Sequence, residues 1–121
     1  MKRILISAFC IPFLFNISFA QAPEIEWENT IGGNSSDYAT SVAQSVDGGY
    51  ILGGFSCSPI SGDKTEAWLG YADYWVIKLY ADGTIQWQNN IGGFAYDEFK
   101  NIEQTADGGY IVGGFSNSAI G

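Results

Sequence analysis

The stretch DGGYILGGFS at residues 47–56 returns as DGGYIVGGFS at residues 107–116, and the same offset holds well beyond it. Trp27 answers to Trp87, Ile-Gly-Gly at 31–33 to Ile-Gly-Gly at 91–93, and Asp37 to Asp97. Aligned without a gap, residues 25–61 and 85–121 are identical at 19 of 37 positions. The chain is therefore a repeat, seen through about one and a half periods.

Working outward from that stretch gives the strands. Residues 50–56 are apolar on both faces and carry Gly53 and Gly54 in their interior. A strand of this kind is buried on both sides, and the glycines mark the close approach of another backbone, so it is expected to be the innermost strand of the unit. Asp47-Gly48-Gly49 ahead of it supplies the positive φ angles of a tight hairpin, and residues 40–46 pair with it, with Val42 and Val46 on one face. Residues 57–73 form the longest irregular segment, and loops of that length tend to be functional or mobile. YWVIKLY at 74–80 is a strand with Trp75, Ile77 and Leu79 on one face. ADGT at 81–84 turns it into IQWQNNI at 85–91, where Ile85, Trp87 and Ile91 face inward. IEWENTI at 25–31 has the same alternation and reads as a half-buried strand.

Four short antiparallel strands in each period make an all-β fold of β-propeller type, one blade to a period. A β-sandwich or a stacked β-solenoid are the competing architectures, but the known solenoid repeats are shorter, at about 20–30 residues. The expected division is a signal peptide at 1–20, a linker at 21–24, the last strand of a preceding blade at 25–36, a complete blade at 37–93, and the first half of the next at 94–121. Propellers close with about 4–8 blades, so these blades are expected to belong with the remaining blades of a longer chain.

Lys2 and Arg3, the apolar run 4–15 and Ser18-Phe19-Ala20 form a secretory signal with cleavage after Ala20. The run falls short of the ~20 residues a membrane span needs. Cleavage leaves Lys64, Lys78 and Lys100 against 13 acidic residues, a net charge of −10. Such a surface repels phosphate backbones and anionic bilayers, which argues against nucleic acid as a partner. Only Cys57 survives processing, so no internal disulfide can form, and the absence of histidine removes Ser–His and Cys–His nucleophilic machinery.

The succession DGGYI-[LV]-GG-F-S, SGDKTE, DYWVIKL, a DG turn and IQW resembles the repeats of large secreted Bacteroidetes-type proteins, over essentially all of residues 25–121. The resemblance implies a β-propeller-like array on an extracellular or cell-surface protein. It also implies export by the type IX secretion system, which reads a C-terminal sorting domain; no such domain lies within these residues. The family has no single activity, and some of its members carry endoglucanase-like labels.

The Ser/Thr-x-Asp-Gly-Gly turns, with Asp47, Gly48 and Gly49 in one copy and Asp107, Gly108 and Gly109 in the other, resemble the Asp-box hairpins of sialidase-type propellers. There the aspartate caps turn amides, a structural role. Asp63, Glu66 and Asp73 in the long loop offer hard oxygen ligands, which suits calcium, or a carboxylate pair for glycoside cleavage, or solvated loop acids. Trp27, Trp75 and Trp87 lie on apolar strand faces and belong to the core. Trp68 and Tyr71 lie off the strands, where aromatic rings stack on sugars or partner proteins, and they are the candidate ligand contacts. No catalytic residue is assigned. The expected function is an extracellular interaction or adhesion scaffold for a glycan or protein; the alternative is the propeller portion of a secreted glycan-degrading enzyme.

Overall fold

In the computed structural model, which describes residues 22–119, the chain forms six strands: β1 (Asp37–Gln44), β2 (Tyr50–Ser56), β3 (Asp73–Leu79), β4 (Ile85–Ile91), β5 (Asp97–Gln104) and β6 (Tyr110–Ser116). The expected signal peptide lies outside the described residues. Strands β1 to β4 form one antiparallel sheet in sequence order, and β5 and β6 form a second. The fold is all-β, with no helix among the described residues.

The bounds of β2 and β4 are those read from the sequence. Strand β1 begins earlier than expected, at Asp37 rather than residue 40, and ends at Gln44. Val46 is therefore a turn residue, exposed and not a core partner of Val42. A β-bulge between Ala39 and Ser41 recurs between Phe99 and Asn101 in β5, so the repeat extends to an irregularity that no alternation pattern announces.

Strand β2 is interior, but β3 is the more deeply buried: six of its seven residues are buried, Lys78 among them. The expectation that β2 is innermost is corrected accordingly. A lysine can occupy the core side of a strand when its ammonium meets a carboxylate. Lys78 Nζ does so, 2.9 Å from Asp47 Oδ2 and donating to the Leu79 carbonyl at 3.0 Å.

Residues 25–31 do not form a strand. Their mate β4 is held by β3, whereas among the described residues nothing lies alongside 25–31 to complete a ladder. The expected inward face is kept even so. Trp27 and Ile31 pack on the cluster of Trp75, Ile77 and Leu79, and Asn29 Nδ2 donates to the Gly83 carbonyl at 3.2 Å. The Trp27 and Tyr50 rings meet edge to face at 5.4 Å and 68°, and their mates Trp87 and Tyr110 meet at 5.9 Å and 60°.

The other face of the first sheet carries the second. Ile51 and Val76 are buried against Phe99 and Ile102 of β5. Burying a ring such as Phe99 is worth about 1.5–3 kcal/mol. Gly53 exists for that ring: a Cβ there would lie 2.5 and 2.6 Å from Phe99 Cε1 and Cε2. At Gly54 the neighbour is backbone, since a Cβ would lie 2.8 Å from the Tyr38 carbonyl carbon. Close approach of another backbone thus holds for Gly54, and ring packing for Gly53.

Candidate binding surface

The two Asp-Gly-Gly turns share one geometry. Gly48 N–H donates to the Ser45 carbonyl and Gly108 N–H to that of Thr105, each at 2.9 Å. Only the first glycine of each pair has positive φ, 84° at Gly48 and 86° at Gly108. Gly49 is glycine for space instead, because a Cβ would lie 2.6 Å from Lys78 Nζ. Asp47 Oδ1 accepts from the Ser45 hydroxyl at 2.6 Å and from Gly49 N–H at 3.0 Å. These bonds, with the Lys78 ammonium, hold its carboxyl far below the usual carboxylate range. Asp107 is held low in the same way by the Thr105 hydroxyl and Gly109 N–H.

At the opposite end of the strands a second repeated aspartate does a similar task. Asp37 accepts from the hydroxyls of Ser56 at 2.5 Å and Ser58 at 3.0 Å and from Gly33 N–H at 2.7 Å. Asp97 accepts from Gly93 N–H at 2.8 Å and the Ser118 hydroxyl at 3.1 Å. Burial raises the Asp97 carboxyl, but the bonds from Ser116, Gly93 and Ser118 outweigh it and leave it low. Each aspartate ties the segment that enters a unit to the end of its second strand. The sequence held the signal, since Asp37, Ser56 and Ser58 recur in the second copy as Asp97, Ser116 and Ser118. Cys57 sits half-buried in this region; burial pushes its thiol up, and the charges of Asp37 and Asp73 push it further.

The long loop is braced. Gln88 of β4 accepts from Thr65 N–H at 3.1 Å and Trp75 Nε1 at 3.0 Å, and donates to the Asp63 carbonyl at 2.7 Å. Lys64 is fully buried, donates to the Glu66 carbonyl at 2.9 Å and lies 6.0 Å from the centre of the Trp75 ring. Desolvation pulls its pKa down. The three loop acids have different surroundings. Asp63 is exposed, and its Oδ2 accepts from Gly32 N–H at 3.1 Å. Glu66 is half-buried and meets Lys64 through its backbone. Asp73 is fully buried at the start of β3, its Oδ2 accepting from Leu69 N–H at 2.8 Å and Asn90 Nδ2 at 3.1 Å. Among the described residues no three carboxylate or thiol side chains converge as metal ligands would.

Trp68 and Tyr71 are brought together. With Leu69, Gly70 and Phe94 they line an open groove of about 390 Å³. The tip of the loop is fixed to the segment before β5, with Tyr71 N–H donating to the Ala95 carbonyl at 3.3 Å and Asp97 N–H to the Ala72 carbonyl at 2.8 Å. Trp68, Leu69 and Tyr71 are exposed, and Phe94 is 96% exposed. From Tyr71 the aromatic surface continues through Tyr96 (6.1 Å) and Phe55 (5.8 Å) to Tyr38, which stacks on Phe55 at 4.7 Å and 22°. The sequence reading missed Phe94 and Tyr96. Their signal was a departure from the repeat, for the mates are Asn34 and Ser36. No family model matches the chain, and neither a curated protein nor a solved structure matches it.

Proposed function

We propose that the chain is an extracellular scaffold of β-propeller-type units, freed of residues 1–20 on export, that binds an uncharged glycan. The observation that carries this reading is the groove of Trp68, Leu69, Tyr71 and Phe94. Ring faces held open to water at fixed positions suit the apolar faces of sugar rings, whose hydroxyls stay solvated around the edge. The net charge of −10 expected after processing argues for a neutral ligand over an anionic one. Binding is favoured over glycoside hydrolysis because two of the three loop carboxylates are engaged: Asp63 with Gly32, and Asp73 with Leu69 and Asn90.

Affinity electrophoresis in gels containing soluble neutral polysaccharides tests it. The full chain is expected to be retarded by at least one β-glucan, and Trp68→Ala and Phe94→Ala to lose that retardation with unchanged thermal stability. Equal mobility of the two variants and the parent in every retarding gel removes the aromatic groove from the binding site. Absence of retardation by any glycan removes the glycan.

A further inference from the structure

Asp73 opens β3 of the first sheet and Asp97 opens β5 of the second. Both are buried, at 0% and 2% exposure, and they meet at Gly92. A Cβ there would lie 2.7 Å from Asp97 Oδ2 and closer still to Asp73 Oδ1, so no side chain can stand between the two acids. Among the described residues neither forms an ion pair. The ammonium groups of Lys78 and Lys100 go to Asp47 and Glu98, and that of Lys64 to the Glu66 carbonyl. Asp73 Oδ1 is buried without a hydrogen-bond partner. So is Oδ1 of Asn90, whose amide nitrogen donates to the other oxygen of Asp73. Like charges withdrawn from water side by side need a counter-charge, and the lysines do not supply it.

We propose that Asp73 and Asp97 hold a calcium ion at the junction of the two sheets. The two facing oxygens lie within 2.7 Å of one point, and a calcium ion, with oxygen ligands at about 2.3–2.6 Å, can touch both. Magnesium fits worse, because it demands near-octahedral geometry at shorter distances. The rival is a proton shared between the acids. Against it, donors serve both as carboxylates require. Leu69 N–H and Asn90 Nδ2 donate to Asp73 Oδ2 at 2.8 and 3.1 Å, and Gly93 N–H and the Ser118 hydroxyl donate to Asp97 Oδ2 at 2.8 and 3.1 Å. Asp97 also borders an open hollow of about 280 Å³ with Gly92, Gly93 and Ser118, which gives a route in from solvent.

The pair differs from the loop trio of Asp63, Glu66 and Asp73, of which it keeps only Asp73. It also bears on the aromatic groove. Leu69, which lines the groove, hangs on Asp73, and Gly93, next to Phe94, hangs on Asp97. One ion across the two acids would tie both walls of the groove together. Its binding is measured without any glycan, so the ion and the glycan can fail separately.

The full chain, stripped with a chelator, is dialysed to equilibrium against calcium, and its thermal unfolding is followed at each concentration. One bound ion per chain is expected, with a dissociation constant of about 10⁻⁴–10⁻³ M, as in extracellular calcium modules. The unfolding midpoint should rise with occupancy and level off, and rise less with magnesium. Asp73→Asn and Asp97→Asn, which keep an oxygen for the N–H donors, should each weaken binding by about tenfold or more; Asp63→Asn should leave it unchanged. Dialysis of the unaltered chain decides the matter even where a variant does not fold. No bound calcium at millimolar concentration overturns the proposal and leaves the shared proton. Equal rises with calcium and magnesium that Asp73→Asn does not reduce mark general screening of an acidic chain, and overturn it too. Loss of binding in Asp63→Asn with Asp73→Asn unaffected moves the ion into the loop and likewise overturns it.

Discussion

Replacing Gly53 by alanine probes how the two sheets fit together. The new methyl would lie 2.5 and 2.6 Å from Phe99 Cε1 and Cε2, where non-bonded carbons settle at about 3.5–4.0 Å. Ring or strand must therefore retreat by about 1 Å or more. Neither has room: Phe99 is fully buried, and β2 is laddered on both edges. Overpacking of this kind destabilises by about 1–3 kcal/mol, partly offset by the ~0.5–1 kcal/mol gained when alanine replaces glycine in a strand. The repeat supplies its own control. A Cβ at Gly113 meets only the Asn101 side chain, at 2.8 Å from Oδ1, and Asn101 is exposed and free to turn aside. Gly113→Ala should stay within about 0.5 kcal/mol of the parent. Phe99→Leu shortens the ring's reach, so the double variant Gly53→Ala/Phe99→Leu should be less destabilised than the sum of the singles, by about 0.5–3 kcal/mol. Urea unfolding followed by tryptophan fluorescence reads all four, with a shift in midpoint at constant slope. Equal costs at Gly53 and Gly113, or strict additivity in the double variant, would refute the reasoning.

Acid should weaken the fold through Asp47, Asp97 and Asp107, whose folded carboxyls all lie below the ordinary range. Their contribution is complete above the unfolded value of about 4 and is lost as pH falls through the folded values. The urea midpoint should thus fall steadily below pH ~4, and a midpoint that rises with acid contradicts the assignment. Asp37→Ala strands the buried hydroxyls of Ser56 and Ser58 and should destabilise by about 2–4 kcal/mol. Asp97→Ala should do less, because Ser116 is exposed; equal losses in the same urea assay would show that burial of the hydroxyls does not matter.

Strand order and the hairpin turns were legible because turn chemistry and alternation act over a few residues. Asp-Gly at the head of each turn needed no tertiary context, whereas Gly49 answers to Lys78 on β3. The bounds of β2 and β4 fell where the pattern put them, but Trp87 and Ile91, expected to face inward, are exposed. Residues 25–31 show the limit of that logic. Alternation reports which side chains face a core, and Trp27 and Ile31 do so, but a strand also requires a neighbour to accept its backbone bonds. Lys78 shows a second limit. Its position in YWVIKLY looks solvent-facing until Asp47, from the turn between β1 and β2, is seen to reach it. In the candidate surface, Trp68 and Tyr71 stood out as aromatics off the strands. Phe94 and Tyr96 were hidden by attention to what the two copies share, whereas a surface peculiar to one place must lie in what they do not.

The lengths of the connections set an order of events during folding. Strands β1 and β2 are joined by the short turn 45–49 and β3 and β4 by the equally short turn 80–84, so each pair can form as a local hairpin in about 1–10 μs. Joining the hairpins along β2 and β3 requires closing the span 57–72, and the buried Lys64 and the bonds from Gln88 can form only as that span settles. The slow step within a unit should therefore be the seam between β2 and β3, with loop and seam consolidating together. The surface that carries Trp68 and Tyr71 would then be the last part of the unit to take shape.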